Sequence, residues 1–91
     1  MASQITHDAG TRRFTTTADG HQAYVEYEDQ GGTMAITHTI VPSAIGGRGI
    51  AGELVKAALE HARGQGLKVA PHCSYAAGWM DKHPDYADLR A

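Results

Sequence analysis

Ninety-one residues, 42% of them hydrophobic, allow one small domain spanning residues 1–91 and one modest core, because a chain this short buries only about 60–65% of its unfolded surface. Eight basic and ten acidic side chains give a formal charge of −2, which excludes the electrostatic footprint of general nucleic-acid or anionic-membrane binding. One cysteine cannot form an internal disulfide, and no apolar run is long enough to span a bilayer or serve as a signal-peptide core, so the expected setting is soluble and cytoplasmic.

Two unevennesses remain. Eleven glycines against one tryptophan and one phenylalanine make a backbone-rich, aromatic-poor chain. Charge is also lopsided: residues 1–45 carry two basic and five acidic groups (−3), residues 46–91 six basic and five acidic (+1). A small anion would prefer the second half.

In chain order, Phe14-Thr15-Thr16-Thr17 and His21 to Glu28 flank Ala18-Asp19-Gly20, whose Asp-Gly pair suits a hairpin turn. Ala23, Val25 and Tyr27 alternate with Tyr24, Glu26 and Glu28, the period of a half-buried antiparallel strand. Asp29-Gln30-Gly31-Gly32 makes a second turn into a third strand, Thr33 to Val41, in which Met34, Ile36, His38 and Ile40 are expected to share one buried face. After Pro42, residues Ala51, Leu54, Val55, Ala58, Leu59 and Ala62 form an apolar helical stripe. Gly64-Gln65-Gly66 ends that helix, and Leu67-Lys68-Val69-Ala70 reads as a strand parallel to the third. Pro71 lacks the donor a ladder needs, so the two parallel strands should part there and leave a gap between their carboxyl ends. Ser74 is placed to cap a last helix through Tyr75, Trp79 and Met80, and Pro84 opens a final turn. The expected fold class is α+β: a three-strand meander, a helix, a parallel strand splayed from the third, and a C-terminal helix.

Gly46-Gly47-Arg48-Gly49-Ile50-Ala51-Gly52 lies between the third strand and the long helix. A helix start exposes unpaired N–H groups and the positive end of the macrodipole, and glycines let a phosphate approach the backbone. No Ser, Thr, Asp or Asn lies between Ala44 and the helix to cap it, which leaves two readings: an anion site to which Arg48 adds charge, or a water-capped turn. Gly47 to Gly52 also fits G-x-G-x-x-G literally, but five residues separate it from its strand and no acid follows the next strand, so a Rossmann site is excluded. A P-loop is excluded by the missing Gly-Lys-Ser/Thr ending.

Val41-Pro42, followed by Gly47-Arg48-Gly49-Ile50-Ala51 and a Leu/Ala helix, resembles the pyrophosphate motif Arg/Gln-x-x-Gly-x-Gly/Ala of GNAT-superfamily acetyl-CoA-dependent acetyltransferases. Gly49 and Ala51 match its second half, while Gly46 stands where Arg or Gln is usual. The His38 to Pro42 strand end and Cys73-Ser74-Tyr75 extend the likeness to a subgroup of very short, single-domain GNAT-like proteins, over roughly Tyr24 to Tyr86. The resemblance implies an N-acetyltransferase that moves acetyl from acetyl-CoA to an amine of a small molecule, peptide or protein. The cosubstrate's pyrophosphate would then rest on Gly46, Gly47, Arg48, Gly49, Ile50 and Ala51. Its pantetheine would run along Ile40 and Val41, and its thioester would reach the gap beside Cys73 and Tyr75.

Cys73 is the candidate nucleophile or acyl contact, against the ordinary reading of a buried, inert thiol. His38 is the candidate relay to that thiol, against a core histidine satisfied by backbone. His72 should point to the opposite face from Cys73. Glu26 and Glu28 are either a base for the amine or a solvated strand face. The remaining histidines show no metal spacing, so no metal is expected. A second class of function is a CoA-binding module without transfer, motivated by Gly46 and by the lack of an obvious carboxylate base.

Overall fold

The computed structural model describes residues 4–91. Five strands form one sheet in sequence order: β1 (Thr6–Asp8), β2 (Arg13–Ala18), β3 (His21–Asp29), β4 (Thr33–Ile40) and β5 (Lys68–Pro71). The first four are antiparallel, and β5 runs parallel to β4. Both tight turns follow from their residues. Asp19 and Gly20 have φ of 50° and 76°, and Gly31 and Gly32 have 55° and 89°, the two successive left-handed residues of a type I′ hairpin.

The sequence gives no strand signal at β1. It forms because His7 stacks on Phe14 at 4.2 Å and shares a hydrogen bond with the Tyr27 hydroxyl, which ties an otherwise polar segment to the hairpin. Burial pushes the His7 pKa down, and neighbouring His61 adds to that.

α1 (Ile50–Gly64) lays Ile50, Leu54, Val55, Ala58, Leu59 and Ala62 on the sheet face made by Phe14, Ala23, Val25, Tyr27, Met34 and Ile36. Its end is closed by Gly66 at φ 69° and by the Leu67 amide on the Ala62 carbonyl at 2.8 Å. α2 (Ser74–Lys82) joins the same core through Ala76 and Met80, followed by a 3-10 turn, Pro84–Leu89, that adds Tyr86 and Leu89. Cys73, not Ser74, occupies the cap position of α2. The Ala91 amide reaches the Val69 carbonyl at 2.8 Å, covering the outer edge of β5.

Both helices therefore lie on one face of the sheet. The other face presents Arg13, Thr15, Tyr24, Glu26, His38 and Ile40, none of them buried. His38 and Ile40 were expected beside Met34 and Ile36. Instead the β3–β4 register shifts, with Tyr27 opposite Ile36 but Glu26 opposite His38. Thr37 is the extra residue of a β-bulge, and past a bulge every side chain changes face. Thr39 takes the place on the helix face opposite Val25. The His38 side chain is 61% exposed.

Candidate active site

The parallel ladder ends at Ile36 opposite Pro71. Proline cannot donate, and the chain then turns into α2, held by the Cys73 amide on the Ile36 carbonyl at 3.0 Å. β4 runs on to Ile40 with β3 on one side only. The expected gap between the two strands is present.

From β4 the chain passes Val41 and Pro42 into a 3-10 turn, Ser43–Ile45, whose Ile45 is fully buried and pins the connection to the core. Gly47 and Gly49 follow, both at φ 77°, a conformation other residues adopt only with strain. Gly49 is the cap residue of α1, and no side chain caps the helix. Between Gly47 and Gly52 no backbone amide donates to a described residue. Several N–H groups and the positive end of a 15-residue helix thus face outward at the end of β4.

The residues of this segment have different surroundings. Arg48 forms an ion pair with Asp19 of the β2–β3 turn, so its charge steadies the loop against the hairpin. Gly46 has φ −69°, and an added Cβ would meet only the Ser43 carbonyl, at 3.4 Å. No backbone requirement excludes a side chain there. Gly52 serves a different purpose from the loop glycines: a methyl there would meet Trp79 Nε1 at 3.2 Å and Tyr75 Oη at 3.4 Å. Its bareness lets α2 close on α1 and brings Tyr75, itself 43% exposed, beside the first turn of α1.

Cys73 sits at the gap, half-buried, with Sγ 3.5 Å from the Thr39 hydroxyl. Burial alone would push its pKa up. The Thr39 hydroxyl and the amides of Ala76 and Tyr75 at the start of α2 oppose this, and the net direction is down. The sulfur does not form a regular side-chain cap on α2; the amides act on it as nearby dipoles. Among the described residues no cluster of His, Cys, Asp or Glu could hold a metal ion, and no helix is long and apolar enough to cross a membrane.

The loop residues Gly46 to Ala51 and Tyr75 thus gather at the start of α1, and Ile40, Val41 and Cys73 follow the β4 edge. His38 does not join Cys73. Adjacent residues of a strand point to opposite faces, and Thr39 is the one that meets the thiol. His38 Nδ1 lies instead 3.3 Å from Glu26 Oε1 and 3.1 Å from Thr37 Oγ1 on the far face. Thr39 and the Glu26–His38 pair could not be found from the sequence, because an unmarked bulge decides both. Asp19 was visible as a turn residue, but not as the partner of Arg48.

These features define a class: a two-layer α+β protein whose sheet opens at a parallel strand pair beside a glycine-fronted helix. The family model of the GCN5-related N-acetyl-transferases matches residues 13–89. Protein NATD1 of Gallus gallus is 37% identical over 84 residues, covering 89% of this chain and 76% of its own length. Protein NATD1 of Homo sapiens is 36% identical, with 89% and 74% covered. The NMR solution structure of a GCN5-like protein from Staphylococcus aureus superimposes with a TM-score of 0.77 at 30% identity, covering 97% of this chain and 87% of that one. The chain belongs to the GCN5-related N-acetyltransferase family.

Proposed function

We propose that this protein is a cytoplasmic enzyme that binds acetyl-CoA and transfers its acetyl group to an amine. The observation that carries the reading is the start of α1, where two left-handed glycines precede a helix with no side-chain cap and a row of amides without described acceptors. A pyrophosphate there would satisfy those donors and meet the helix dipole, each such interaction contributing roughly 0.3–2 kcal/mol. From the loop, the free edge of β4 beyond Ile36 gives the pantetheine amides backbone partners next to Ile40 and Val41. The thioester then ends in the gap beside Cys73, whose lowered pKa suits a thiol that contacts the acyl group or carries it for a moment by thioester exchange.

A second reading, a CoA-binding module without transfer, is favoured by Gly46 in place of the motif's Arg or Gln and by the engagement of Arg48 with Asp19. Calorimetric titration with acetyl-CoA, followed by intact mass after incubation with amines, separates the two. Binding at submillimolar acetyl-CoA with acetylated amine as product is the expected result. Binding without product supports the module, and no binding removes both readings. An acetyl adduct on the protein that vanishes in Cys73→Ala supports covalent transfer, whereas undiminished transfer in that variant leaves Cys73 as a lining residue.

A further inference from the structure

The open face of the sheet carries charges that neither the acyl site nor the core uses. Around the bulge lies a depression of about 230 Å³ whose wall includes Thr11, Arg12, Glu26, Glu28, Thr37 and His38, below the range of about 300–1,000 Å³ that takes drug-sized ligands. Its charged groups fall into two sets. Toward His38 they are paired: Glu26 meets Arg13 Nε at 3.0 Å and His38 Nδ1 at 3.3 Å, and the Arg13 guanidinium lies over the Tyr24 ring at 4.1 Å. Toward Glu28 they are not. Arg12 and Glu28 are exposed, and neither forms an ion pair with a described residue.

These two groups stand on a fixed frame. Asp8 Oδ1 accepts hydrogen bonds from the Gly10 and Thr11 amides at 3.1 and 3.3 Å, and the Arg12 carbonyl accepts one from the Tyr27 amide at 3.0 Å. The turn before β2 is thereby tied down on both sides of Arg12, which has φ of 55°, a left-handed conformation uncommon outside glycine. Glu28 stands on β3 opposite Ala35, which offers it no charge.

We propose that this depression holds the amine acceptor as a free basic α-amino acid, with its carboxylate on Arg12, its α-ammonium on Glu28 and its side-chain amine toward Thr37 and His38. The proposal rests on the transferase reading above and names its substrate class. One unpaired cation and one unpaired anion in the same depression match the two charges of a zwitterion, and the arginine fork suits a carboxylate in particular. The spacing agrees. Glu28 and Glu26 are two residues apart on one strand face, about 6.6–6.8 Å, and an extended side chain of roughly three or four methylenes has that reach. At Thr37 and His38 the ladder from β4 to β5 has already ended, so the amine arrives at the mouth of the gap. A lysine within a protein has lost both main-chain charges to peptide bonds and would leave Arg12 and Glu28 unmatched.

The transfer balances. The side-chain ammonium releases one proton to solvent, its nitrogen forms the C–N bond at the thioester carbonyl, the C–S bond breaks, and a second nitrogen proton leaves with the thiolate. The products are the side-chain N-acetylated amino acid, a thiol and one proton.

Four amines test the assignment: L-lysine, cadaverine, which is lysine without the carboxylate, ε-aminocaproate, which is lysine without the α-amine, and a lysine-containing peptide. In the parent chain lysine should exceed each of the others in kcat/KM by about tenfold to a hundredfold, the range of one charge-assisted hydrogen bond. Arg12→Gln should erase the lead of lysine over cadaverine and keep its lead over ε-aminocaproate. Glu28→Gln should do the reverse. If instead either variant lowers all four amines together with the ratios unchanged, the residue is structural and the proposal is overturned. Equal kcat/KM for lysine and cadaverine in the parent chain, or a peptide that surpasses free lysine, would also overturn it, and in all these cases the transferase reading survives. Acetyl-CoA binding by calorimetry with no transfer to any of the four removes the proposal and the transferase reading but leaves the glycine-loop site. If acetyl-CoA does not bind at all, that site falls with them.

Discussion

Along β4, Met34, Ala35 and Ile36 are fully buried and lie between β3 and β5, whereas Thr37 to Ile40 are half-buried or exposed and have only β3 beside them. One strand thus contains a fully paired half and an open half. The change falls at Thr37, where the bulge breaks the register, and within one residue of Pro71, where the other neighbour ends. The first half is paired on both sides and puts Met34 and Ile36 in the core. The second half leaves an edge open toward the gap, sends Thr39 to the thiol and turns His38 to the opposite face. A bulge beside a site re-aims side chains in this way at little cost to the rest of the sheet.

Single truncations test the division most strongly. Ile36→Ala empties a fully buried site and should cost about 2–5 kcal/mol, while Ile40→Ala, at a side chain 43% exposed, should stay within about 0.5 kcal/mol. Equal losses at the two positions would erase the contrast between the halves. Deleting Thr37 comes next. Without the extra residue the strand returns to strict alternation with His38 still opposite Glu26 and Thr39 still opposite Val25, so both side chains keep their faces, and what is lost is the local bend and the Thr37 hydroxyl bond to the Glu26 carbonyl. We expect a fall of about 1–2 kcal/mol in urea unfolding, and a chain that no longer folds would mean that the bulge is not a simple one-residue insertion.

The same division explains what was readable in the sequence. Both hairpin turns, the α1 stripe, the Gly64 to Gly66 helix end and the stop at Pro71 were legible, because each is set by residues whose own conformational preferences agree with the fold. The glycine loop was legible for the same reason, since Gly47 and Gly49 occupy the left-handed conformation that glycine adopts without strain. The open half of β4 was not. Met34, Ile36, His38 and Ile40 have the spacing of one face, and Thr-His-Thr carries no mark of an extra residue, so periodicity put His38 in the core. β1 was missed because His7 gains its place from Phe14 and Tyr27, contacts made only after folding. Gly52 falls in the same glycine-rich segment as Gly47 and Gly49, and spacing cannot separate a glycine needed for approach by a ligand from one needed for approach by Trp79.

The smallest predicted effect concerns the Thr39–Cys73 contact that the bulge creates. Burial acts against the thiolate, while the Thr39 hydroxyl and the amides of Ala76 and Tyr75 favour it strongly enough to lower the pKa. Thr39→Val keeps the shape and removes the hydroxyl, so the pH profile of iodoacetamide alkylation should move to higher pH, with the rate at pH 7 falling by a factor of about two to ten. Stability follows with a definite sign. The folded pKa lies below the ordinary thiol value of 9.0, so the thiolate's contribution is fully present above that value and is lost as pH falls through the lower folded one. The parent chain should therefore gain on Thr39→Val between neutral pH and about pH 9, as read by urea midpoints at each end of that window. If the alkylation profile does not move, the amides of α2 hold the thiolate by themselves, and the open half of β4 has only its backbone edge to offer the proposed acyl site.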